Sequence, residues 1–198
     1  PQELVLSDDF ISARMSLLAD VYPSVQDLRV HIYTSSGISK KYGHWKVSVH
    51  FVWHGIVVDE TRAATLRQHC IESFEQFSSM DERDTPFAAT IARITQEHLG
   101  LDSRNTWDQV FDASVSVGGN GLRVPFSDKR DKPRVGEPPP HRDRRPKMPV
   151  GTWKFDRRTA SASCVMMPHQ LEGGNAQWVR LGLCRCAEGT ELTEWVAP

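Results

Sequence analysis

This chain has no long apolar run, little cysteine and almost no net charge, and each shortage narrows what it can be. No stretch approaches the ~20 consecutive apolar residues that cross a bilayer as a helix. No basic segment followed by an apolar one opens the chain, so nothing reads as a secretory leader. Its four cysteines, Cys70, Cys164, Cys184 and Cys186, are scattered without a paired framework, which fits a reducing compartment. A formal net charge of −1 gives no global basic field, so any anion-binding surface must be a local patch. No internal repeat is visible. The opening Pro1-Gln2-Glu3 carries no methionine, as expected of a piece of a longer protein.

What is present is enough apolar residue, 39% of 198, to build the core of one domain over 1–198. Leu4 to Leu6 reads as a short strand. Phe10, Ile11, Met15, Leu18 and Tyr22 fall at helical spacing behind Asp8 or Asp9 as N-cap, and Pro23 ends that helix. "LRVHIYTSS" reads as a strand, and Lys46 to Trp53 alternates. Val47, Val49, Phe51 and Trp53 face one way; Lys46, Ser48, His50 and Val52 face the other. His54-Gly55 turns the chain into a hairpin partner, "IVV". Asp59 caps a second helix lined by Ala63, Leu66, Cys70, Phe74 and Phe77, and a third carries Phe87, Ile91, Ile94 and Leu99 up to Gly100. Trp107–Val117, Leu122–Pro125, "GTWKF", "ASCVMM" and "WVRLGLCRC" read as strands. The fold class expected is α+β, a mostly antiparallel sheet flanked by helices.

Three polar groups, Lys46, Ser48 and His50, project at period two from one face of a strand. Each can donate a hydrogen bond to a phosphate oxygen. The same pattern fits the solvated face of a half-exposed antiparallel sheet. Further on, "DASVSVGGNGLRVPFSDK" places Asp112 at a strand end, Arg123 on the next strand and Lys129 past it. A strand-end carboxylate suits a hard divalent ion, and adjacent cations suit the phosphates such an ion bridges. A turn carboxylate and an ordinary charged surface would look the same.

Taken together, "KVSVH", "YTSSG" and "VFDASVSVGGNGLRVPFSDK" resemble the archaeo-eukaryotic primase superfamily, in particular its primase-polymerase branch. The likeness runs from about Leu28 to Arg130, roughly half the chain, and lies in the order and spacing of short motifs: arginine eleven residues after the acid, lysine six after the arginine. The resemblance implies an RRM-like primase catalytic core and template-directed nucleotidyl transfer, with Asp112 and His50 as catalytic residues. Lys46, Ser48, His50, Arg123 and Lys129 would hold the nucleoside triphosphate. Asp112 would bind Mg²⁺ or Mn²⁺. The family's first acidic motif, Asp-x-Asp or Asp-x-Glu after an early strand, is not plain; its place falls at Ser7-Asp8-Asp9, leaving Asp9 as metal ligand, or upstream of Pro1. The partners implied are single-stranded DNA template, primer and other replication proteins, in a nucleus, a mitochondrion or a site of viral replication, with no membrane. Two other readings stay open: a catalytically inactive RRM-like binding module in a replication assembly, and a metal-dependent nuclease.

From Ser127 to Pro149 the chain turns Pro- and Arg-rich, "SDKRDKPRVGEPPPHRDRRPKMP". It reads as an exposed arm whose Arg142, Arg144 and Arg145 could run along a polynucleotide backbone or form a solvated linker. Zinc is not expected: Cys164, His169, Cys184 and Cys186 lack the C-x₂₋₄-C spacing of structural sites and read as buried thiols. Trp107, Trp153, Trp178 and Trp195 read as core or rim, although one of the last three could stack on a template base.

Overall fold

In the computed structural model, which describes residues 2–39, 43–53, 55–81, 85, 87–99, 105–113, 125–127, 145–183 and 189–198, one helix organises the rest. A single turn, α1 (Gln2–Val5), leads into α2 (Asp8–Val21). Phe10, Ile11, Ala13, Met15, Leu17, Leu18 and Val21 are all buried, so α2 is apolar nearly all round, the pattern of a helix inside a protein. Ile11, Met15 and Leu18 pack on the sheet residues Val30, Ile32, Trp153 and Phe155. Phe10, Ala13 and Leu17 pack on the opposite side against α3 (Glu60–Phe77), α4 (Ala88–His98) and α5 (Trp107–Val110).

Leu4 to Leu6 is therefore not a strand. Leu4 turns into the second of these cores as part of α1. The N-cap of α2 is Ser7, whose hydroxyl accepts from Phe10 N at 3.3 Å. Asp8 and Asp9 fall in the first turn instead, where the helix dipole favours negative charge. Ser7→Ala should lower the unfolding free energy by about 1 kcal/mol in a urea titration; an unchanged midpoint would place the cap elsewhere. The expected cap of α3 is observed, with Asp59 accepting from Arg62 N at 2.7 Å.

The strands are β1 (Arg29–Thr34), β2 (Gly37–Ile38), β3 (Trp45–Lys46), β4 (Val49–Val52), β5 (Met148–Asp156) and β6 (Ser161–Met166). Four of them form an antiparallel sheet in the order β4-β1-β5-β6; β2 and β3 form a separate two-stranded ribbon. The chain is thus α+β, with α2 on one face of the sheet. On the other face α6 (Gly174–Leu181) inserts Trp178 against Tyr33 and Val52.

Other local expectations change for identifiable reasons. Lys46 to Trp53 is not one strand: it breaks after Lys46 and resumes at Val49, with Lys46 in the ribbon and His50 in the sheet. Trp107–Val110 is helical and no strand follows through Ala113; Trp107 and Phe111 stack at helical spacing, 5.9 Å apart and 20° between planes. Residues 114–124 lie outside the described residues. "WVRLG" is helical, because Trp178 and Leu181, three apart, both face the sheet, and Gly182 ends the helix. A Cβ at Gly182 would meet Pro125 Cγ and, at 3.0 Å, the ring of Tyr33. The basic arm ends earlier than expected: Lys147 is buried, Met148 opens β5, and residues 128–144 lie outside the described residues. Cys70 is buried and burial pushes its thiol pKa up, opposed by Arg14 alongside. Cys164 is exposed rather than buried. Trp107, Trp153 and Trp178 are core, and Trp195 lies half-buried against the first core. Among the described residues, no helix is long and apolar enough to cross a membrane.

Candidate functional site

The strand register fixes which side chains share a face. Tyr33 sits opposite His50 and His31 opposite Val52; all four therefore point to the side of the sheet covered by α6. Val49 and Phe51 point to the α2 side, where they pack on the first core. His31 is buried, its Nδ1 2.9 Å from Thr152 Oγ1, with Trp178 edge-on to its ring. Tyr33 donates to the carbonyl of Trp178 at 2.8 Å. This apolar half of the face has its polar atoms satisfied, and His50 lies half-buried at its end.

Three of the four hydroxyls of "YTSSG", those of Thr34, Ser35 and Ser36, organise the break between β3 and β4. Ser36 Oγ accepts from Ser48 N at 2.9 Å, while Ser35 N and Thr34 Oγ1 donate to Ser48 O at 2.8 and 3.3 Å. Ser35 Oγ donates to Ser48 Oγ at 3.1 Å and stands 3.5 Å from His50 Nε2. Ser48 is therefore clamped at its backbone, and the Ser35 hydroxyl stands between the Ser48 hydroxyl and His50. A run of three hydroxyls at a strand end was the signal for this cluster. Beyond it, Gly37 pairs with Lys46 in the ribbon. Gly37 has φ 156°, and a Cβ there would stand 2.8 Å from Arg145 Cδ. Glycine thus lets the Arg145 stem lie against the ribbon that carries Lys46.

Lys147 also belongs to this end of the sheet. Its residue is 0% exposed and its Nζ lies 4.8 Å from the Tyr33 ring centroid, a cation–π distance. Nothing in "RRPKMP" separates it by sequence from the arginines before it. Its backbone pairs with the segment between Arg123 and Lys129: Phe126 N donates to Lys147 O at 2.7 Å, and Lys147 N to Ser127 O at 3.2 Å. Phe126 packs on the Tyr33, Val52 and Trp178 cluster. Arg123, Lys129, Arg142 and Arg144 themselves lie outside the described residues, as do Cys184 and Cys186.

The two candidate metal carboxylates lie elsewhere. Asp9, in the first turn of α2, accepts from Thr90 Oγ1 at 2.7 Å and ties α2 to α4. Its neighbour Asp8 accepts from Trp153 Nε1 at 2.8 Å. Both stand on the α2 side of the sheet, the reverse of the His50 face. Asp112 is exposed and follows the turn of α5 rather than a strand. The preceding Phe111 is fixed among Phe74, Trp107 and the Arg14 guanidinium, 4.6 Å from its ring centroid, and Arg67 donates to its carbonyl. Among the described residues no group of three or more His, Cys, Asp or Glu could hold a metal ion. One exposed carboxylate supplies too few donors for a Mg²⁺ or Mn²⁺ centre, so the described residues do not by themselves fit one.

The described residues therefore gather hydroxyl and imidazole groups at one end of the sheet, with Lys46 on the adjoining ribbon and Lys147 buried against Tyr33. No protein-family model matches the chain, and no curated protein or solved structure is significantly similar to it.

Proposed function

We propose that this chain is a primase-polymerase-type core, RRM-like in its sheet, that holds the triphosphate of a nucleoside triphosphate at the Ser48–His50 end of β4. One observation carries the reading. Two segments about 75 residues apart in sequence meet on one sheet face: His50 is the cross-strand partner of Tyr33, and Phe126 and Ser127 are pinned to Lys147, which lies against the same Tyr33. A solvated sheet face has no need of that convergence. Hydroxyl and imidazole groups at that end, with Lys46 on the adjoining ribbon, suit a phosphate chain. Template-directed nucleotidyl transfer on a primed single strand, with divalent metal, is the activity that the motif order implies. A second reading, a nucleotide- and nucleic-acid-binding module without transferase activity, is favoured by Asp112 following a helical turn on the α2 side.

Titration with a fluorescent nucleoside triphosphate tests the site. His50→Ala and Lys46→Ala each remove a donor that contributes about 1.5–3 kcal/mol if charge-assisted, so each affinity should fall roughly 10- to 150-fold. The fold should persist, because Lys46 is exposed and His50 half-buried. Equal affinity in both variants would remove β3 and β4 from the site. Extension of a labelled primer then separates the two readings. If wild type extends and Asp112→Asn binds triphosphate without extending, Asp112 is catalytic. If the protein binds triphosphate and extends nothing under Mg²⁺ or Mn²⁺, the binding module is the better account.

A further inference from the structure

The ribbon beside the candidate site carries an apolar pair that the core does not use. Ile38 and Trp45 are direct cross-strand partners, and they are 64% and 58% exposed. Single exposed apolar residues are ordinary, but an exposed tryptophan paired with an exposed isoleucine is a patch. A ladder two residues long is too short to hold itself together. Here it is closed by Ser39 N donating to His44 O at 2.9 Å and Gly43 N to Ser39 O at 2.7 Å, with the Arg145 stem against Gly37. The indole is therefore presented on a fixed ribbon.

Its surroundings select the occupant. Among its described residues, 37–39 and 43–46, the ribbon has one lysine, one histidine and no acid. Alternation along the strands puts Gly37 and Lys46 on one side of the ribbon, with Arg145, and Ile38 and Trp45 on the other. One side is cationic and the other a flat aromatic platform, with about one strand thickness between them. A single-stranded polynucleotide has matching parts: phosphates at intervals along a backbone, and bases with exposed π-faces.

We propose that the β2–β3 ribbon is a single-strand binding element, in which Trp45 stacks on an unpaired base while Lys46 and Arg145 meet the flanking phosphates. This rests on the reading of the adjacent site as a nucleotidyl-transfer centre, and it supplies that centre with a grip on the polynucleotide.

The test is fluorescence anisotropy with a labelled oligodeoxythymidylate, comparing wild type with Trp45→Ala and Trp45→Phe. Loss of base–aromatic stacking should weaken binding by about 5- to 150-fold in Trp45→Ala. Trp45→Phe should recover most of it. The slope of affinity against salt should stay the same, since no phosphate contact is removed. An abasic oligomer of equal length should bind wild type and Trp45→Ala alike, because only the base is stacked. An unchanged thermal midpoint excludes unfolding of the variant. Equal affinity of wild type and Trp45→Ala for the oligodeoxythymidylate overturns the proposal, as does a difference that persists with the abasic oligomer. If those results accompany normal triphosphate binding that depends on His50, the ribbon inference fails and the functional reading stands. If Trp45-dependent oligonucleotide binding is found without triphosphate binding, the inference stands and the reading of the β4 site fails.

Discussion

Trp178→Ala should cost about 3–5 kcal/mol of folding stability, as for other large-to-small changes in a core, and should weaken triphosphate binding as well. Trp178 is fully buried on the α6 side of the sheet, the face that also carries His50. Its ring stands edge-on to Tyr33 at 5.8 Å and to His31 at 6.3 Å, and its Nε1 donates to Pro168 O at 3.2 Å. Its carbonyl, which accepts from Tyr33, survives the substitution, but the indole that positions α6 does not. Tyr33 then loses the surface that fixes it opposite His50 and beneath Lys147. For a chain of this length the midpoint should fall by roughly 6–20 °C. Triphosphate affinity, measured well below that midpoint, should fall too, and Trp178→Phe should recover part of both. A destabilised Trp178→Ala protein with wild-type affinity would mean that the α6 side of the sheet does not shape the site.

Phe74→Ala should be as costly to the fold, about 3–5 kcal/mol, yet leave triphosphate affinity unchanged. Phe74 is the hub of the second core. Phe10, Phe77, Trp107 and Phe111 all place rings within 5.0–5.8 Å of it. That core lies mainly between α2 and α3–α5, and it meets the sheet at Phe51, on the side of β4 opposite to His50. Thermal denaturation and nucleotide titration on the same two variants make a paired comparison. If Phe74→Ala lost affinity as Trp178→Ala does, the loss would report general loosening, and the assignment of the site to one face would fail.

Legibility differed sharply between elements. The amphipathic period of α3 and α4 was readable because both helices expose one side, so polar and apolar positions alternate with the turn. The paired strands "GTWKF" and "ASCVMM" were readable by composition and turn signals. The failures share a cause. In α1, α5 and α6, short segments of one to two turns carry apolar runs that fit a strand as well as a helix. Leu4, Trp107 and Trp178 became helical because each had to reach a core that only the assembled chain possesses. At Lys46–Trp53 the period-two pattern was real, but the Thr34 and Ser36 hydroxyls and the Ser35 amide take up the Ser48 backbone groups and interrupt the strand. Those partners are twelve or more residues away.

For the site, the sequence by itself determined the chemistry on offer: a K-x-S-x-H run, a hydroxyl-rich turn and a second motif with arginine and lysine, each stated by residue type and spacing. It determined an α+β protein too, since alternating and helical periods were both strong. Which of these groups meet was decided by tertiary structure alone. The register of β1 with β4 put His50 opposite Tyr33, and the pairing of Phe126 and Ser127 with Lys147 brought that short segment to the same face. The fold also buried one lysine of the basic run under that tyrosine, set Asp9 on the reverse side of the sheet, and left Trp45 facing outward. Register and burial depend on partners distant in the chain, and local period carries no information about them.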